Sequence, residues 1–133
     1  MRRGFTLAEV MVALGLITIA VLTIIAAFTG ALQLSSKSSE ITAATGVGQD
    51  FLEAIRDAGY DFVPDGTYTF DGRRADPAID GFPPDPYPVA QVDGRDYSLK
   101  VRVAPKGATL KIVTVEVFWG NQSRIALETF FYP

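Results

Sequence analysis

From Val10 to Leu32 the chain carries no charged side chain, and the next charge is Lys37. At 1.5 Å per residue, roughly 20 apolar residues in a helix cross the ~30 Å hydrocarbon core of a bilayer. A helix that is apolar on every side has to be covered, by lipid or by protein. The chain after Ser35, just under a hundred residues, makes a modest core that is too small to enclose it. The run therefore reads as a membrane span rather than a buried core helix. Arg2, Arg3 and the terminal amine precede it, and positive flanks stay cytoplasmic, so the remainder is expected outside the cytoplasm. A cleaved secretory signal, with Thr29-Gly30-Ala31 as the cut site, is the competing reading. Its apolar core would be too long, and the helical pattern continues past Ala31.

No proline occurs between Gln33 and Ala58. Apolar residues recur at Ile41, Ala44, Val47 or Gly48, Phe51, Leu52 and Ile55, the spacing of one helical face. Lys37, Glu40, Asp50, Glu53, Arg56 and Asp57 fall on the other face. Gly59 supplies the stop. One helix of about fifty residues, ~80 Å long at the helical rise, is thus expected to join the apolar run to a soluble domain.

Glu9 is the anomaly, because an acid at mid-helix in hydrocarbon costs roughly +2.5 to +3.5 kcal/mol on the insertion scale. One account places it at a helix N-terminus, where the dipole favours a negative charge by ~0.3–1 kcal/mol. The stretch Gly4-Phe5-Thr6-Leu7-Ala8-Glu9-Val10, followed by the apolar run, offers another. It resembles the prepilin signature of type IV pilins and type II secretion pseudopilins, over about thirty residues. The resemblance implies cleavage between Gly4 and Phe5 by a prepilin peptidase and N-methylation of Phe5. It also implies that Glu9 meets the Phe5 amine, of its own or a neighbouring chain, as helices bundle into a filament. A buried carboxylate with such a partner is tolerated where a lone one is not. On this reading residues 1–4 are a leader, 5–34 the membrane and assembly half of the helix, and 35–133 an extracytoplasmic domain. The implied partners are the peptidase, other pilins or pseudopilins, an inner-membrane assembly platform and inner-membrane lipid. Major pilins often carry a proline in the membrane half; this segment has none, which tilts the resemblance toward a minor pilin or pseudopilin. "GQDFLEAIRDAGY" and the short three-strand ending look most like the PilV and GspI types.

The soluble half begins with residues 59–96, where prolines at 64, 77, 83, 84, 86 and 88 are interleaved with Asp and Gly. That composition favours turns and extended chain over packed structure, with one short strand around Gly66–Phe70. Beyond it, strict alternation predicts strands at 97–103, 111–119 and 124–132, the last two joined by a hairpin at Gly120–Ser123. The expected fold is α+β: the long N-terminal helix, its apolar face packed on a C-terminal antiparallel meander.

The net charge of −3 and the absence of a basic patch give no clear nucleic-acid signal. Lys100, Arg102, Lys106 and Lys111 are expected on a solvated strand face, with DNA contact the weaker alternative. Asp76, Asp80 and Asp85 invite a calcium site, but their spacing is not that of an EF-hand loop, and turn residues account for them. No cofactor and no metal are expected. The chain contains neither cysteine nor histidine, and no serine stands in a nucleophile-elbow context, so a membrane-tethered enzyme is disfavoured. A signal-anchored protein with an extracytoplasmic binding domain remains the alternative to a filament subunit. Phe82, Phe130, Phe131 and Tyr132 are expected mainly in a core or an interface.

Overall fold

The computed structural model describes residues 4–133. Met1, Arg2 and Arg3, which with Gly4 are the expected leader, lie outside the described residues. The rest forms two compact units, one ending at Ser39 and the other comprising Glu40–Pro133.

In the first unit, helix α1 (Leu7–Ala58) begins one residue after Thr6 and continues without interruption. It is the only helix among the described residues long and apolar enough to cross a membrane, and the apolar window is wholly unburied. The hydroxyls of Thr18, Thr23 and Thr29 donate to the carbonyls of Leu14, Ile19 and Ile25 at 2.8, 2.8 and 2.9 Å. The polar groups of the apolar run are thus satisfied inside the helix.

In the second unit, α1 packs its buried residues Ala44, Val47, Gly48, Phe51, Leu52 and Ile55 against one antiparallel sheet. Ile41, expected on this face, is 49% exposed; the packed stripe starts one turn later, at Ala44. The strands are β1 (Tyr68–Asp71), β2 (Val89–Val92), β3 (Arg95–Lys106), β4 (Leu110–Trp119) and β5 (Ser123–Phe131). Their order is β1-β3-β4-β5, with β2 also paired to β3. The meander of three expected strands is therefore the body of a five-stranded sheet. Alternation holds along β3 and β4: Tyr97, Leu99, Val101 and Val103 on β3, and Val113, Val115, Val117 and Trp119 on β4, are buried. Ile125, Leu127 and Phe131 on β5 join the same core. Gly48 lets the helix approach: a Cβ there would overlap Leu127 Cδ1 and stand 3.3 Å from Val117 Cγ2.

The loop reading of 59–96 is corrected. Besides β1, which is the short strand expected around Gly66–Phe70, the segment contributes β2 and two short 3-10 turns, Tyr60–Phe62 and Gly72–Arg74, and it buries Val63, Phe70, Phe82 and Ala90. Proline removes donors but leaves the side chains between free to anchor. Phe82 does so edge-on against Phe62 and Phe70, with ring centroids 5.7 and 5.5 Å apart. β2 turns into β3 through Asp93-Gly94, both at positive φ (51° and 74°), the backbone of a two-residue type I′ hairpin.

Candidate functional site

The N-terminus of α1 has its own geometry. Thr6 N–H and Thr6 Oγ1 donate to Glu9 Oε2 at 3.0 and 3.1 Å, and Glu9 N–H donates back to Thr6 Oγ1 at 3.3 Å. This is a reciprocal capping box: two amides that a helix leaves unpaired at its start are satisfied by the side chains of Thr6 and Glu9. The T-x-x-E spacing is present in the sequence as Thr6-Leu7-Ala8-Glu9, and it is the signal that the reading of Glu9 by dipole or by partner passed over. The carboxylate therefore has a local partner before any other chain is considered.

Around this cap the surface is open and apolar. Phe5 is 86% exposed, and a side chain added at Gly4 would meet nothing within 4 Å. Two shallow apolar hollows flank Glu9. One is lined by Thr6, Ala8, Val12, Ala13 and Leu16, and the other by Phe5, Val10, Ala13 and Leu14. Ala13 lines both, because its small side chain leaves relief on either side for a neighbouring helix or an acyl chain to fill. The structure thus brings Gly4, Phe5 and Glu9 together at one exposed helix start.

The candidates in the second unit are dispersed. Lys111 is not a surface cation: it is 5% exposed, and its ammonium donates to Tyr60 O at 3.2 Å and Val63 O at 2.5 Å. It pairs with Asp65 at 2.8 Å and lies 4.1 Å from the centroid of the Tyr60 ring. The alternation already held this answer, since Lys111 shares parity with Val113, Val115 and Val117. Lys100 is bridged to Glu116 at 3.5 Å and Lys106 lies over Phe130, so Arg102 alone of the four is an exposed cation with no such contact on the described surface. Asp76 Oδ2 accepts from Asp71 N–H at 3.1 Å, and Asp80 occupies a turn at φ 52°. Among the described residues, no group of three acidic, His or Cys side chains is arranged to hold a metal ion. Of the aromatic residues, Phe82 and Phe131 are buried, whereas Phe130 and Tyr132 are exposed.

Two polar clusters were not anticipated. Glu40 accepts from Arg95 Nη1 at 2.7 Å and from Trp119 Nε1 at 3.3 Å, tying α1 to the start of β3 and the end of β4. Asp71 is 5% exposed and receives Arg73 Nε at 3.0 Å, Arg73 Nη2 at 2.7 Å and Arg73 N–H at 3.1 Å. The Arg73 hydrogen bonds hold its carboxyl at about 2, against the opposing effect of burial; the charges of Arg73 and Lys100 add to the depression. Arg73 in turn stacks 3.9 Å over the Phe118 ring.

Comparison with protein-family models, with curated proteins and with solved structures returns no match.

Proposed function

We propose that this chain is a structural subunit, a minor pilin or pseudopilin, of a type IV pilus-like filament. It is inserted in the inner membrane, cleaved after Gly4 by a prepilin peptidase, methylated at Phe5 and assembled through α1. The observation that carries this reading is a single unbroken helix, Leu7–Ala58, whose first part is apolar and unburied and whose last part carries the core face of a sheet domain. A helix needed only as an anchor has no reason to continue, unbroken, into the core of the domain that it tethers. The exposed Gly4-Phe5 pair and Glu9 at its start are what the processing and assembly of a prepilin would use. After cleavage the Phe5 amine would lie one residue beyond the amide that Glu9 already grips, so the carboxylate is poised to answer it.

The capping box also favours a second reading, in which the chain is a signal-anchored protein and Glu9 only closes its own helix. Mass spectrometry of the N-terminus, from cells with and without a prepilin peptidase, separates the two. Loss of Met1–Gly4 and gain of a methyl group on Phe5, only when the peptidase is present, is the expected result; an intact N-terminus in both strains overturns the filament reading. Glu9→Leu adds the assembly arm. Membrane level and cleavage should persist, because the acid lies beyond the cut and is a liability in lipid. Incorporation into sheared filaments should collapse, since breaking a well-buried pair costs about 3–5 kcal/mol. Wild-type incorporation would leave Glu9 as a cap and nothing more.

A further inference from the structure

We propose that the turn tip Ile79-Asp80 of one copy of this chain seats in the Arg56 hollow of a second copy, head to tail. The proposal goes beyond the filament reading, which joins copies through the apolar part of α1, and does not depend on it. The hollow lies where the end of α1 meets the end of β5. Arg56, Tyr60, Phe130, Phe131 and Tyr132 line a concavity of about 500 Å³. Arg56 Nη2 donates to Thr129 Oγ1 at 3.1 Å, which fixes the guanidinium and uses one of its five N–H donors. Among the described residues no carboxylate pairs with Arg56, whereas Arg73, Arg95, Lys100 and Lys111 each have one. Lys106 stands 5.0 Å from the centroid of the Phe130 ring, so a second cation borders the site. A guanidinium fork among aromatic walls suits a carboxylate that arrives with an apolar side chain beside it.

The chain itself carries such a group. Ile79 N–H donates to Phe82 O at 2.7 Å and Phe82 N–H to Ile79 O at 2.9 Å. Asp80 and Gly81 between them both have positive φ, 52° and 83°, the backbone of a two-residue type I′ turn. Phe82 is buried and packs edge-on against Phe62 and Phe70, so the exposed tip stands on a fixed base. Ile79 is 47% exposed, and the Asp80 carboxylate has no hydrogen bond or ion pair among the described residues. The acids nearby are engaged: Asp65 with Lys111, Asp71 with Arg73, and Asp76 with Asp71 N–H. The knob is anchored on Phe70 of β1 and the hollow on Thr129 of β5, and β1 and β5 are the two ends of the sheet order. Phe70 shares a row of the ladder with Val101, Val115 and Leu127, and Leu127 stands next but one to Thr129, so only a small stagger is needed. A neighbour displaced sideways along the sheet, without being turned over, therefore brings knob to hollow. Every α1 keeps one direction, as a shared bilayer requires. A rotation about an axis parallel to α1 leaves that direction unchanged, so the same contact serves copies arranged around one bundle of helices. Because knob and hollow are different surfaces, the contact is heterologous and continues from copy to copy.

The test uses the absence of native cysteine and the full chain in detergent micelles, with a short bifunctional maleimide as the probe. Ile79→Cys mixed with a differently tagged Tyr132→Cys should give the mixed dimer. Neither variant alone, nor Ile79→Cys mixed with Asn121→Cys at the exposed β4–β5 hairpin, should do so. A chain carrying both Ile79→Cys and Tyr132→Cys should give a ladder of trimers and longer products, because each copy offers one knob and one hollow. In the mixed-dimer experiment, Arg56→Glu in the Tyr132→Cys chain should lower the yield about tenfold by facing Asp80 with a like charge. Adding Asp80→Arg to the Ile79→Cys chain should restore it, and that recovery also shows that the Arg56→Glu chain is folded. Asp85→Arg in place of Asp80→Arg should not restore it. Contact through the apolar helices alone would give as much product with Asn121→Cys and no dependence on charge. That result, same-position dimers as the main product, or equal rescue by Asp85→Arg overturns the proposal, as does a mixed dimer no more abundant than the Asn121→Cys control.

Discussion

Asp71 sits at a strand end, where a turn aspartate would ordinarily face water, yet it is nearly closed off and held by three donors of Arg73. Its carboxyl ionises at about 2 in the folded chain against 3.8 in the open one. A depressed folded value means that the stabilisation is complete above about pH 4 and is lost as the pH falls through about 2. With the guanidinium half exposed, the contribution is about 1–2 kcal/mol. Asp71→Asn should therefore be less stable than the parent at pH 7, and the gap should narrow between pH 4 and pH 2. Urea titrations followed through the single Trp119, at pH 7, 4 and 2, measure that gap. A gap independent of pH would mean that Asp71 contributes shape rather than charge. Neither the burial nor the partner was legible beforehand: Asp71-Gly72 reads as a turn, and only the 3-10 turn after β1 folds Arg73 back over the carboxylate.

At the scale of the element, the part of α1 from Glu40 onward contains two glycines, Gly46 and Gly48, whose costs as helix residues are alike, near 1 kcal/mol relative to alanine. Their surroundings are not alike. A Cβ at Gly46 meets nothing within 4 Å, whereas one at Gly48 overlaps Leu127 Cδ1 and crowds Val117 Cγ2 at 3.3 Å. Gly46→Ala should therefore raise stability by about 0.5–1 kcal/mol through helix propensity alone. Gly48→Leu should lower it by about 1–3 kcal/mol, because overpacking outweighs propensity at a helix–sheet contact. Gly48→Ala should fall between, since the end of the Leu127 side chain can yield. Thermal melts by near-ultraviolet circular dichroism rank the three. If both positions respond alike, the close approach of α1 to the sheet is wrong. The periodicity had marked this face and set Val47 or Gly48 on it, without Gly46; it had no means of telling how closely the sheet would approach there.

At the scale of the whole molecule, the core lies in Glu40–Pro133, and each fully buried Val, Leu, Ile or Phe in it contributes about 1.5–3 kcal/mol. A chain of residues 35–133 should accordingly fold and melt cooperatively without the apolar run; a broad, gradual melt would show that the run is needed for the core. The helix, its length, its two faces and the strands after residue 94 were legible in the sequence because each rests on a local period, 3.6 or 2, that the chain repeats for several turns or pairs. The Gly4–Phe5–Glu9 constellation was legible for a similar reason, being contiguous, as was the T-x-x-E cap had it been read. Residues 59–93 have no period, and there the tertiary structure decided: which apolar side chains among the prolines become anchors, that β1 and β2 both pair with β3, and that Lys111 closes on the carbonyls of Tyr60 and Val63. Those contacts join residues tens of positions apart, and their energies come from a shared core that exists only once the sheet and α1 have met.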